Sequence, residues 1–499
     1  MKTIHYLFSA LLAMTACVSF TACSSDDTTD SAPTPQTADG FYMTLTIKGT
    51  EAKGANAKAT RTAVQDPTEA ATADESTVNS GTLYLFSGVV GSGTLAYKKT
   101  ITTAEWNDAK VPTQGQDGSI TVKLPIKNVT VGTSYRVYFL ANGKGVEDDS
   151  GNSTIEAGDV KFVNGYANPG EFIMFSQNNP GHLANQYTVT FTEENKNKDK
   201  PATLSSPILI ERAVARIDVP TNEATSLTVP SVEDLAKMNP QQKEALQDAR
   251  DNVKSITLEK YAISNLAKKT YIMQHWSDNS DNRYLTLPTN SLGYWQTYDE
   301  FGTETRNDGS AFFKTLTNAT PDYVFENTTS ENKNSTAMYF QYKVELNSYA
   351  NADFTDGTFY RYDGKIYTRL ADIIESGKYG TNPFGKTADE LLTKDLLRTD
   401  GKLGAQEASL DAFRSAHHIQ IFPQGLVYYR QLINDVHYVR EGWNSILRNT
   451  VYKLNVKSVW NIGADVPNGD NGKETEFYYL KVEVSVNPWV LNTQNVILK

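Results

Sequence analysis

"VEVSVNPWVLNTQNVILK" occupies residues 482–499, and its reading decides the fold. Val482, Val484 and Val486 alternate with Glu483 and Ser485, the period-2 pattern of a half-buried strand. Trp489, Val490, Leu491, Val496, Ile497 and Leu498 then carry apolar character almost to the final residue. Chain ends are usually polar and frayed, and an unpaired apolar strand invites association. The tail therefore calls for a partner. Either it folds back as an edge strand on its own sheet, or it completes the sheet of another chain.

The same alternation recurs upstream. In "FYMTLTIK" (41–48), Phe41, Met43, Leu45 and Ile47 face one way, and Tyr42, Thr44, Thr46 and Lys48 the other. A polar stretch of small residues without a period follows, with Lys53, Lys58 and Arg61 open to a trypsin-like protease. Strands are expected at "GTLYLFSG", "SITVKLPI", "TSYRVYFLAN", "EFIMFSQ" and "NQYTVTFTEE", separated by Gly, Asn, Asp and Pro clusters. Short strands with regular turn signals suggest a sandwich. "PILIERAVARIDVP" resumes the pattern after a polar break, which puts a domain boundary near residue 205. The second half opens with helix signals at Ser231/Asp234 and Asn239-Pro240, and a further one at Thr387/Glu390. Strands return at "VKSITLEKYAIS", "STAMYFQYKVELN", "GTFYRYDGKIYTRL", "HIQIFPQGLVYYRQLI" and "NTVYKLNVKSVW". In the last of these, Tyr452, Leu454 and Val456 oppose Lys453, Asn455 and Lys457.

Length and composition agree with this pattern. A chain of 499 residues exceeds a single compact core, and 27 tyrosines with abundant Thr and Val lean towards β structure. The net charge of −11 argues against a nucleic-acid partner, which would need a basic face. The two cysteines, Cys17 and Cys23, leave the body without disulfide or thiolate-metal chemistry. Lys2 followed by "LFSALLAMTACVSF" reads as a secretory signal, too short for a comfortable membrane span. Phe20-Thr21-Ala22 before Cys23 resembles a bacterial lipoprotein signal over residues 1–22, in which the cysteine is acylated (palmitate) and becomes the first residue. "SSDD" resembles the acidic tag that sends Bacteroidales lipoproteins to the outer face of the outer membrane, and residues 24–40 form a flexible tether.

A search for chemistry is negative. No Gly-rich phosphate loop, G-x-S-x-G elbow, HExxH or CxxC occurs, so neither an enzyme, a cofactor nor a metal is expected. His417 and His418, read on a strand, point to opposite faces and cannot easily share a metal. "EDDSGNSTIEAGD" has calcium-loop composition without the spacing and is read as a hairpin loop. In "ERAVARID", Arg212, Val214, Arg216 and Asp218 would share one strand face, with two snorkelling arginines.

Several of these segments together resemble the Mfa-type fimbrillins, the major subunits of the short (minor) fimbriae of Bacteroidales, also called type V pilins. They are "FTACSSDD", "ATRTAV", "VGTSYRVYFLAN", "IERAVARIDV", "GLVYYRQLIND", "ILRNTVYKLNVKSV" and "YYLKVEVSVNPWVLNTQNVIL", spread over the chain in family order. The resemblance implies a mainly β protein of two tandem transthyretin-like β-sandwich domains, 62–205 and 206–486, with a few short helices inserted in the second. It implies export as a lipoprotein acylated at Cys23 and cleavage between Arg61 and Thr62 by an arginine-specific surface protease. Cleavage would remove residues 23–61, the tether and the displaced strand with Phe41, Met43, Leu45 and Ile47. It also implies polymerisation into a shaft by a C-terminal donor strand, 487–499, whose groove-filling residues would be Trp489, Leu491, Val496, Ile497 and Leu498. The implied partners are copies of the chain in a head-to-tail filament, accessory, anchor and tip fimbrial proteins, and host or bacterial surface receptors. The implied location is a fimbrium at the outer membrane, reached through the lipid anchor of the precursor. Two alternatives stay open: an accessory or tip subunit, and a glycan-binding surface lipoprotein of a polysaccharide-uptake system, a class built mostly of helical repeats.

Overall fold

The computed structural model describes residues 40–49, 69–88, 93–111, 119–143, 154–156, 166–177, 187–277, 284–288, 293–303, 312–375, 384–397, 402–403, 407–436, 438, 440–468 and 480–490. Its fold is mainly β, as the alternation requires, and not the helical-repeat architecture of the glycan-binding alternative. In chain order the first strands are β1 (Phe41–Gly49), β2 (Glu69–Ala70), β3 (Gly81–Ser87), β4 (Thr94–Ile101), β5 (Ile120–Ile126) and β6 (Ser134–Ala141). They continue with β7 (Thr154–Glu156), β8 (Met174–Ser176), β9 (Thr188–Thr190), β10 (Ala202–Thr203), β11 (Ile208–Arg212), β12 (Ala215–Ile217), β13 (Thr221–Asn222) and β14 (Val253–Ser264).

A nine-stranded sheet holds the N-terminal half, in the order β10-β1-β11-β8-β6-β3-β4, with β5 on β1 and β9 on β6. Its core is knitted by close approach. A Cβ on Gly81 would stand 2.3 Å from the Phe139 ring, so only glycine lets β3 lie this tightly on β6. Trp106, on helix α2 (Thr103–Ala109), stacks on the same Phe139 ring at 5.5 Å. That helix is fixed by a Thr102/Glu105 capping box.

In the C-terminal half, β12 runs parallel to the Thr450–Val459 strand, which pairs antiparallel with the Leu480–Val490 strand. The facing four-stranded sheet runs from Lys314–Thr315 through β14 and Ala337–Leu346 to Leu426–Leu432. Tyr452, Leu454 and Val456 from one sheet share a buried core with Ile256, Phe340 and Tyr342 from the other. Their alternation with half-buried Lys453, Asn455 and Lys457 is the pattern expected from sequence. The expected helices form at Pro240–Asn252, with an Asn239/Gln242 capping box, and at Ala388–Leu391, with a Thr387/Glu390 box. At Val232–Ala236 Ser231 caps by accepting from the Asp234 amide. No helix among the described residues is long and apolar enough to cross a membrane.

Four local expectations change. "ILIERAVARI" is two strands: β11 pairs with β1 in the first sheet and β12 with Thr450–Val459 in the second. The chain passes from one sheet to the next at Ala213–Val214. Arg212 and Arg216 therefore do not share one strand face, and Arg212 is buried with only 1% exposure, held by hydrogen bonds and not snorkelling. His417 closes a helix, Glu407–His417, and His418 takes a left-handed turn at φ 54°, so the pair is not on a strand. Within 147–159, residues Thr154–Glu156 form β7 and pair with Lys269–Tyr271 of the C-terminal half, which a local hairpin loop would not do.

Candidate assembly site

β1 is not an edge strand. Along one side it pairs antiparallel with β5, from Phe41↔Ile126 to Ile47↔Ile120. Along the other it pairs in parallel with two short strands in turn, β10 at Met43↔Ala202 and β11 at Ile47↔Ile208. Both rows of its backbone groups are thus engaged by strands distant in sequence. Met43 and Leu45 are fully buried, and Phe41 and Ile47 nearly so, whereas Tyr42, Thr44, Thr46 and Lys48 are half-buried. The Phe41 ring meets Phe191 edge-on at 5.6 Å and carries the Lys196 ammonium 5.5 Å above its centroid. Thr46 and Thr121 hydroxyls lie 3.1 Å apart across the β1/β5 pair. Burial of the four inward side chains is worth ~1.5–3 kcal/mol each, roughly 6–12 kcal/mol gross. Without β1 this half would present a slot one strand wide, with two open backbone edges and an apolar floor.

A second constellation lies just downstream. β2 pairs in parallel with the end of the Leu480–Val490 strand, Glu69↔Trp489 and Ala70↔Val490. Lys453 donates to Glu69 at 2.7 Å. Thr72 and Glu75 then form a capping box on helix α1 (Ala73–Ser76). The Glu75 carboxylate is buried against the C-terminal half, accepting from Tyr323 Oη at 2.8 Å and Arg216 Nη1 at 3.2 Å. Arg216 also holds Asp218 at 2.6 Å. Arg212 Nε donates to the Glu75 carbonyl at 2.8 Å and its Nη1 to Asn449 Oδ1 at 3.0 Å. Burial alone would raise the Glu75 carboxyl. The Thr72 amide, the Tyr323 hydroxyl and the Arg216 and Arg212 charges outweigh it and hold the group below its ordinary value.

Of the residues expected to matter, Phe41, Met43, Leu45 and Ile47 converge on the slot. Trp489, expected in a donor strand starting at 487, lies in the home sheet, since the Leu480–Val490 strand extends through Pro488↔Thr450 to Val490. Cys23, Arg61, Thr62, Leu491, Val496, Ile497 and Leu498 lie outside the described residues. The Glu75 network escapes the sequence reading, although Thr72-x-x-Glu75 is a capping-box signal that would have placed a helix there. No cluster of three metal-ligating side chains occurs among the described residues.

Much of these two features, though not Arg216, Asp218 or Tyr323, falls in the stretches of the chain that match known families. Residues 42–212 match the family model of the major fimbrial subunit protein FimA. Residues 420–495 match that of fimbrillin, the type IV major fimbrial subunit protein, in its C-terminal part. Over these two stretches the chain is similar to fimbrillin-type subunits, and the matched families are structural subunits of fimbriae, not enzymes. No curated protein sequence matches it. Among solved structures, a FimA fimbrilin from Porphyromonas gingivalis is 14% identical, with 90% of this chain and 98% of that one covered and a TM-score of 0.39. A protein provisionally assigned to cell adhesion from Parabacteroides distasonis is 15% identical, with 90% and 98% covered and a TM-score of 0.41.

Proposed function

We propose that this fimbrial subunit is the shaft pilin of an adhesive fimbrium, held as a monomer by β1 and polymerised by strand exchange once β1 is removed. The observation that carries the reading is the double-edged seating of β1. A strand inserted between β5 and β10/β11 satisfies the groove completely, and its loss leaves a site that only another strand can satisfy. The precursor is a lipoprotein acylated at Cys23 and delivered to the outer membrane surface. An arginine-specific protease cuts between Arg61 and Thr62 and frees the segment carrying β1. The vacated slot accepts the tail of a neighbouring copy. The donor segment lies in the tail beyond the described strand, with Leu491, Val496, Ile497 and Leu498 as its apolar anchors. We read the two sheet systems as two tandem sandwich domains. Accessory, anchor and tip proteins complete the fibre, which adheres to host or bacterial surfaces.

Truncation after Val490 tests the reading, because it spares every described strand. The expected product is a folded, exported monomer that the protease still trims but that forms no fibres in electron micrographs. Fibres of normal abundance from the truncated chain would refute the exchange.

A further inference from the structure

β2, the Glu69–Lys453 ion pair and the buried Glu75 node lie on one short segment, and that segment begins eight positions after Arg61. Everything upstream of Arg61 would leave with β1. The stretch Glu69–Ser76 is built to stay. It is bound to the C-terminal half by backbone pairing at Ala70, by Lys453 at Glu69, and by Tyr323 and Arg216 at Glu75, while Arg212 of β11 holds the Glu75 carbonyl from the first sheet. Its backbone partner is the end of the Leu480–Val490 strand, the root of the tail.

We propose that Glu69–Ser76 is a strap that remains docked after cleavage and clamps the root of the tail, so that residues up to Val490 stay home and only those beyond it pass to the neighbour. This rests on the donor-strand reading for the tail, but the docking of the strap does not. The physical case is that the strand runs two residues past its last pairing with the Thr450–Val459 strand, at Pro488, and that β2 pairs with those two, Trp489 and Val490. Stripping the strand from its Val490 end must therefore break the β2 pairing before it reaches the antiparallel ladder that starts at Pro488. The buried carboxylate at Glu75 fixes β2 from the other end. Its partners Arg216 and Tyr323 come from β12 and the Asp322–Val324 strand, and Arg212 of β11 donates to the Glu75 backbone carbonyl; none of these belongs to the segment lost with β1. The clamp therefore separates a fixed root from the part of the tail that passes to the neighbour. It also ties the new N-terminus to the same point, so that removing β1 does not loosen the two halves.

A disulfide between Ala70→Cys and Val490→Cys tests both parts. Paired strands lie about 4.8 Å apart, within the about 4.4–6.8 Å that a disulfide spans. The native cysteines, Cys17 and Cys23, are lost on cleavage at Arg61, so the mature double variant carries only the engineered pair. In the cleaved monomer, mild oxidation is expected to consume both thiols within one chain. The oxidised subunit is then expected to polymerise to the same yield as its reduced form. Thiols that close before cleavage but stay free after it would show that the strap leaves with β1. Polymerisation lost on oxidation and restored by reductant would show that the clamp must open. If the reduced double variant and the natural chain both fail to polymerise after cleavage, the donor-strand reading falls. The thiol measurement still decides whether the strap stays docked.

Discussion

At the scale of single residues, Glu75 illustrates how a buried charge is kept. Its side chain is 4% exposed, yet the amide, hydroxyl and guanidinium groups around it favour the carboxylate. A carboxyl held below its unfolded value contributes stability that is fully present above about pH 4.3 and is lost as the pH falls through the lowered folded value. Glu75→Gln removes that component and leaves Arg216 with Asp218 alone. The expected result is a loss of about 1–3 kcal/mol near neutral pH and a flatter fall in stability below about pH 4.3. Urea denaturation from pH 7 to pH 3 measures both. An unchanged slope in the acid limb would mean that Glu75 is not linked to folding. The arginines on the other side of this node show why local reading falls short. "ERAVARID" looks like one amphipathic strand, but Arg212 and Arg216 are separated by the passage from one sheet to the next. Both meet Glu75, well over a hundred positions upstream, Arg216 at its carboxylate and Arg212 at its backbone carbonyl. No local pattern encodes that distance.

Elements were legible where one face is buried and the other wet. β1, β14 and the Thr450–Val459 strand declare themselves by alternation, and the Asn239/Gln242 and Thr387/Glu390 boxes by capping chemistry. Elements buried on both faces were not. Residues Glu211 to Ala215 are buried without a break, so nothing in their polarity marks the change of sheet at Ala213–Val214. The apolar face of β1 could be read from sequence, but its two-sided seating could not. β10 is only two residues long, too short to carry any period, and β5 and β11 lie far along the chain. That seating gives a prediction specific to one element. Leu45→Ala empties a fully buried site and is expected to cost the uncleaved precursor about 2–5 kcal/mol. The cleaved subunit should be unaffected, because β1 is gone. Denaturant melts before and after protease treatment make the comparison, and an equal loss in both forms would show that β1 stays with the mature subunit.

For the whole molecule, the slot and the tail root are different surfaces of one chain: the first lies in the nine-stranded sheet and the second at the end of the Leu480–Val490 strand. A contact between unlike surfaces of identical subunits is heterologous. Unless its rotation closes a ring, it propagates as a filament. Under the proposed strand exchange each subunit has one acceptor and one donor, and disabling either is expected to turn it into a chain terminator. A chain truncated after Val490 keeps the slot and, after cleavage, accepts one tail but offers none. An Arg61→Ala chain keeps β1 in its slot, so it offers a tail but accepts none. Mixing either variant with the natural chain during protease-triggered assembly is expected to shorten fibres in inverse proportion to its fraction. Mixing the two variants alone should stop at pairs. Fibre lengths in negative-stain micrographs and the mass of the two-variant product by light scattering check this. If the truncated chain were merely misfolded it would be excluded from fibres and would leave their length unchanged. If donor and acceptor were one self-complementary patch, each variant would block assembly alone instead of capping it. Capping by both variants, with pairs as the limit, is the outcome that a directional one-strand joint requires.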